Sequence, residues 1–208
     1  MRGKVYNLKM FMREEMLNGS NNLVTRETGA VMRERLEREL IAEVGPTVAF
    51  LDFSGVGVID YSCADEVIAK LVSRLLSGEY GDKFIVLMGL SSSQMENIAV
   101  ALERKKLAVL NLQEGGGWQV IGFLNNYLRK TLVSVMEKGS ITLRELAQER
   151  GIGLNTGGTR LLNLYKKRLT WRSEEVSKEG GRQFVYKSLT AVMGVLNGET
   201  EGTQNHTS

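Results

Sequence analysis

Two groups of residues in this chain have the types and spacing to do chemistry. The first is acidic: Asp52, Asp60, Asp65 and Glu66 fall in one short stretch with Ser62 and Cys63. Neighbouring carboxylates can divide general acid and base work, a serine can be acylated or phosphorylated, and a thiol at a helix start can ionise early. Plainer readings stand beside these. Acidic residues collect at helix starts for electrostatic reasons alone, a hydroxyl there caps the helix, and a small thiol fills a core. The second group is polar and basic. Thr156, Thr159, Arg160, Asn163, Lys166 and Lys167 recur on one side of a helix-period segment. Arg and Asn have the donor and acceptor geometry for base edges, and Thr and Lys reach phosphates. Lys178 and Arg182 flank a hairpin tip, where phosphate contact is again the chemistry on offer. Here the plain reading is a solvated helix face and solubilising charge. Residues 160–187 hold 8 Lys+Arg against 3 Asp+Glu, which favours an anionic partner.

Little else suits catalysis. The one histidine, His206, sits near the C-terminus, and the one cysteine, Cys63, excludes an internal disulfide. Neither a metal-ligand cluster nor a nucleophile beside a base is apparent. Gly55-Val-Gly57 is not a dinucleotide fingerprint, because Asp60 stands where the third glycine would be. Gly115-Gly-Gly117 lacks the Lys-Ser/Thr of a phosphate loop. No enzyme activity, cofactor or metal is therefore expected. There is no apolar run long enough to span a bilayer, the first residues do not read as a signal peptide, and the cysteine usage suits a cytoplasmic protein.

The elements that must position these residues follow from periodicity. Thr47 to Asp52 reads as a buried strand, and Ser54, Gly55 and Gly57 as a bend. A helix from Cys63 to about Leu76 carries Val67, Ile68, Leu71, Val72 and Leu75 at helical spacing, with Ser62 as its N-cap. Lys4–Met12 alternates as an edge strand, and Leu23-Val24 reads as a short strand. Thr25 or Thr28 caps a helix to about Val44, which Gly45 and the only proline, Pro46, terminate. Phe84–Met88 and Ala108–Leu112 are further strands, separated by a helix capped at Ser91 or Ser92. The glycine run 115–117 is either an interdomain hinge or the turn before a last strand, Trp118–Gly122. Helices follow from Leu124 to Gly139, from the Thr142/Glu145 capping box to Gly151, and from an Asn155 or Thr156 cap to about Arg168. The last has Leu161, Leu162, Tyr165 and Leu169 on its inner side. Trp171–Val176 and Gln183–Lys187 form a hairpin, and the tail from Asn197 reads as disordered.

The stretch LDFSGVGVIDYSCADE resembles the heart of STAS and STAS-like domains, the fold of bacterial anti-sigma-factor antagonists. Members of that family read as an apolar strand, a D-L/F-S-G-like turn, an apolar pair, then D-S-S-G at a helix start. The resemblance aligns Asp60 with the Asp and Ser62 with the serine that a partner kinase, itself the anti-sigma factor, modifies. Tyr61 and Cys63 stand where the family has Ser and Gly. Residues 124–189, with ITLRELAQERGI and NTGGTRLLNLYKKR, resemble the winged helix-turn-helix of bacterial transcription regulators.

The expected fold class is therefore α/β: a STAS-like sheet-and-helix domain over 1–117, then a small winged-helix (α+β) domain over 118–196 and a tail over 197–208. Charge follows the same division, with 14 Lys+Arg and 16 Asp+Glu in residues 1–115 but 13 and 8 in residues 116–208. The expectation is a cytoplasmic regulator that reads double-stranded DNA, with a homodimer left open. The alternative is an adaptor that engages a kinase-like ATPase or anti-sigma factor without touching DNA.

Overall fold

Strands β1 (Arg2–Asn7), β2 (Thr47–Asp52), β3 (Lys83–Met88) and β4 (Ala108–Leu112) pair in parallel in chain order. Strand β5 (Trp118–Gly122) closes the row antiparallel to β4. Parallel neighbours need crossovers, and crossovers are right-handed. With every step taken in one direction, the crossing helices all fall on the same face. Ala49, Leu51, Ile85, Leu87, Val109 and Ile121 of the sheet accordingly share one core with Met32, Leu36, Leu71, Leu75, Ile98 and Leu102 of the helices. The intervening residues Val48, Phe50, Phe84, Val86 and Leu110 are apolar as well, so the central strands read as unbroken apolar runs.

The structure is a computed structural model that describes residues 1–15, 19, 21–177 and 180–192. It divides into two units, Met1–Leu124 and Asn125–Ser208. The glycine run is a short turn between β4 and β5, so Trp118–Gly122 falls in the first unit, not in the second as a boundary after Gly117 would have it. The α/β class expected from the sequence holds. The tail, with His206, lies outside the described residues.

Several local expectations shift. The first strand ends at Asn7, whose side chain accepts the Met10 N–H and caps α1 (Leu8–Glu14). Leu8, Phe11 and Met12 then bury at helical spacing, so the alternating reading to Met12 is corrected. Leu23 makes only an isolated bridge to Ile59. Thr25 and Thr28 bond reciprocally at the start of α2 (Arg26–Ala42). One continuous helix covers Tyr61–Ser77 as α3 (Tyr61–Ala64), a π-helical turn (Asp65–Ala69) and α4 (Lys70–Ser77). Helix α5 (Ser92–Arg104) starts at the expected Ser91 cap.

The second unit runs α6 (Asn126–Lys138), β6 (Ser140–Thr142), α7 (Leu143–Arg150), α8 (Leu154–Lys166), β7 (Trp171–Val176) and β8 (Arg182–Lys187). Strands β6, β8 and β7 form an antiparallel sheet in that order. Val135, Ile141, Leu146, Leu161 and Tyr186 make its core, with Leu143 and Tyr165 packed against them. Three-residue β6 was not anticipated, since so short a segment has no period of its own and only its pairing with Val185–Lys187 defines it. Among the described residues no helix is long and apolar enough to cross a membrane.

Candidate nucleic-acid interface and the acidic corner

Helix α8 begins at Gly153, which is extended and offers no side chain to cap it. Asn155 and Thr156, expected as caps, lie instead in the first turn. Gly157 lets α8 sit close to α7, since a Cβ there would come within 3.0 Å of Leu143 Cδ1. Leu161 and Leu164 are buried, while Leu162 and Tyr165, expected as inner residues, are only half-buried. The opposite side exposes Asn155, Thr156, Thr159 and Lys166, with Asn163 and Lys167 half-buried. These are the expected outer residues, joined by Asn155. The Thr159 hydroxyl donates to the Asn155 carbonyl at 2.9 Å, which leaves its oxygen free to accept.

Arg160 departs from that group. Its guanidinium lies 5.5 Å from the Tyr127 ring centroid on α6, so it occupies the flank of α8 and not the centre of the exposed side. On the other flank Arg172 of β7 stacks between Tyr165 and Phe184, at 4.5 and 4.2 Å from their ring centroids. A groove of about 330 Å³ separates the start of α7 and the middle of α8 from the hairpin. Arg144, Gly158, Ser177, Arg182 and Gln183 are on its wall.

Arg182 is the first residue of β8 and not a tip residue, so the strand expected from Gln183 starts one position earlier. Its side chain is 79% exposed and stands 3.8 Å from Glu174, a loose pair that leaves it available to an anion. Glu175 is tied to Lys187 at 2.5 Å. Lys178 lies outside the described residues. Arg144 was missed from the sequence: it sits in the segment read as scaffold, and its exposed position in the first turn of α7 was the available signal.

The carboxylates of the acidic stretch have separate partners. Asp52 accepts from Asn7 Nδ2 at 3.1 Å and from the Ser54 N–H at 2.9 Å. Lys105 Nζ lies 2.6 Å from Asp65 Oδ1, an ion pair without hydrogen-bond alignment. Glu66 is buried against Arg33 Nε at 3.2 Å and against Lys70. Burial works to raise the Glu66 pKa, but hydrogen bonds from Lys70 and Arg33 outweigh it and hold the carboxyl below its ordinary range. Each carboxylate therefore has its own structural partner.

Ser62 is not the N-cap expected of it. Asp60 takes that role, accepting the Cys63 N–H at 2.7 Å, and Ser62 sits in the first turn. An extended Asp one residue before Tyr61 outcompetes the serine because its carboxylate accepts at the positive end of the helix. Cys63 is fully buried in the core, and burial pushes its thiol up to about 12. Among the described residues no group of three His, Cys, Asp or Glu could hold a metal ion.

No protein-family model matches the chain, and no curated protein matches it. A solved structure described as a possible transcriptional regulator from Methanosarcina mazei Go1 is similar over 39% of this chain and 81% of that one. The identity is 16% and the TM-score 0.29, too slight a likeness to carry the fold.

Proposed function

We propose that the chain is a transcription regulator in which a STAS-like input domain, residues 1–124, is joined to a winged-helix domain that binds double-stranded DNA. One observation carries this reading. The exposed side of α8 gathers Asn155, Thr156, Thr159, Asn163 and Lys166 beside a groove walled by Arg144 and Arg182. A helix with hydrogen-bonding side chains fits a major groove, and a flanking basic groove fits the adjoining phosphates. The element order α6-β6-α7-α8-β7-β8 agrees with the winged-helix reading. For the first unit, support comes from consecutive parallel strands with helices on one face and from the Asp60-capped helix at the resembling stretch. In this scheme Asp60 and Ser62 form the contact point for a kinase-like partner, and the chain acts by binding and not by catalysis.

A second reading keeps the same domains but gives the hairpin a protein partner. Val176 is 77% exposed and Phe184 46%, and Glu174 and Glu175 lie on the same strand as Val176. Exposed apolar residues with acidic neighbours suit a protein surface better than a phosphate backbone. Selection from a randomised duplex pool with the full chain separates the two. The DNA reading expects enrichment of one motif over a bead-only control, and a flat pool turns the balance to the adaptor.

A further inference from the structure

The carboxyl ends of β3 and β4, the start of α5 and the turn before β5 line a cavity of about 620 Å³ that is open to solvent. Open α/β sheets take ligands outside the carboxyl ends of their strands, but a crevice and a helix start do not by themselves make a site. Asn111 supplies the second observation. It lines the cavity, is only 3% exposed, and its Oδ1 has no hydrogen-bond partner. Folded proteins pair nearly all such groups, because an unpaired buried amide oxygen forfeits its water without replacement. Gln119 faces Asn111 across the β4–β5 ladder and could have paired with it. Its Nε2 instead points to Met95 Sδ at 2.7 Å, leaving Asn111 open.

The rest of the wall defines the chemistry. Ser54, Ser91 and Gln113 add uncharged hydrogen-bonding groups, while Leu90 and Met95 add apolar surface. Lys, Arg and His are absent from the cavity's described lining, and Glu114 is on it, which disfavours phosphate and carboxylate ligands. Gly89 holds one side in shape: its φ is +68°, and a Cβ there would fall 2.3 Å from Ser54 Oγ.

We propose that this cavity binds a small uncharged molecule with an amide-like edge, an N–H donor beside an acceptor, which pairs with the Asn111 carboxamide. A carboxamide satisfies that description, and so does a nucleobase, since Asn can pair with either edge in two-point fashion. The inference does not depend on DNA binding; it gives the first unit a ligand of its own.

The test uses the full isotopically labelled chain and follows side-chain amide resonances of Asn111, Gln113 and Gln119. Nicotinamide probes the carboxamide source and adenosine the nucleobase source, with acetate and inorganic phosphate as anionic controls. Saturable shifts of the Asn111 amide with nicotinamide or adenosine, and none with the anions, are expected. Asn111→Leu should weaken the responding probe at least tenfold while its thermal melt shows a folded chain. Gln119→Ala, at the cavity wall, serves as the second variant and should weaken it several-fold. Silence towards both uncharged probes, equal response to the anions, or unchanged affinity in a folded variant would each overturn the proposal.

Discussion

The Ser62 hydroxyl donates to Oδ1 of Asp60 at 3.0 Å, and the same oxygen accepts the Cys63 N–H at 2.7 Å. One carboxylate oxygen thus caps the helix and restrains the serine. Asp60→Ala is expected to cost about 0.5–2 kcal/mol of stability, the range for losing a cap. Ser62→Ala should stay within about 0.5 kcal/mol, because the cap survives without it. Chemical denaturation of both variants checks the order, and a larger loss for Ser62→Ala would return the capping role to the serine.

A network of charges crosses the contact between α2 and the Tyr61–Ser77 helix. Arg33 binds Glu66 at 3.2 Å and Glu37 at 2.7 Å, and Glu37 also accepts from Arg74 and the Tyr80 hydroxyl. Without Arg33, Glu66 keeps Lys70, and Glu37 keeps Arg74 and Tyr80, so Arg33→Met should cost less than a fully broken buried pair, about 1–3 kcal/mol. Urea unfolding measures it, and a loss below 1 kcal/mol, roughly the value of an exposed pair, would contradict the burial argument.

The same network fixes a pH dependence. Burial works to raise Glu37 and Glu66, but hydrogen bonds from Tyr80, Arg33 and Arg74 to the first, and from Lys70 and Arg33 to the second, leave both below the ordinary range. A carboxyl depressed in the folded state contributes stability that is complete above its unfolded pKa of about 4.3. That contribution is lost as pH falls through the lower folded value. Urea midpoints between pH 6 and pH 3 should therefore drop more steeply for the wild type than for Glu37→Gln with Glu66→Gln. Parallel curves would remove these two groups from the acid response.

Much of the first unit was legible in the sequence because its central strands are apolar on both faces and its helices carry a clear period. Phe84–Met88 and Val67–Leu75 announced themselves this way. What escaped depended on competition between neighbours. Asn7 ends a strand by capping a helix, and Asp60 displaces Ser62 as a cap, although both candidates have capping chemistry. In the second unit the outer residues of α8 followed from helical spacing, whereas the pull of Tyr127 on Arg160 needed three dimensions. Asn111 gave no sequence signal at all, since a polar residue in a strand is ordinary until its partners are counted.

Neighbouring residues of the second unit should fail differently on DNA. Asn163 can pair with a purine edge, so Asn163→Ala should cost about 1–3 kcal/mol on a selected duplex and relax preference at one base pair. Arg144→Ala and Arg182→Ala should weaken selected and scrambled duplexes alike. Fluorescence titrations of each variant on both duplexes distinguish the roles, and equal losses on the scrambled duplex for Asn163→Ala would place it on the phosphates.

The central claim is that the second unit binds duplex DNA through its basic groove, and the salt dependence of binding tests it most directly. Anisotropy of a labelled duplex with the full chain, from about 50 to 200 mM salt, should give a linear fall of log K with log salt. Arg182→Ala should then reduce the slope by about one unit, as expected for one lost phosphate contact. Absence of binding at the lowest salt, or a slope unchanged by Arg182→Ala and Arg144→Ala together, would contradict the account.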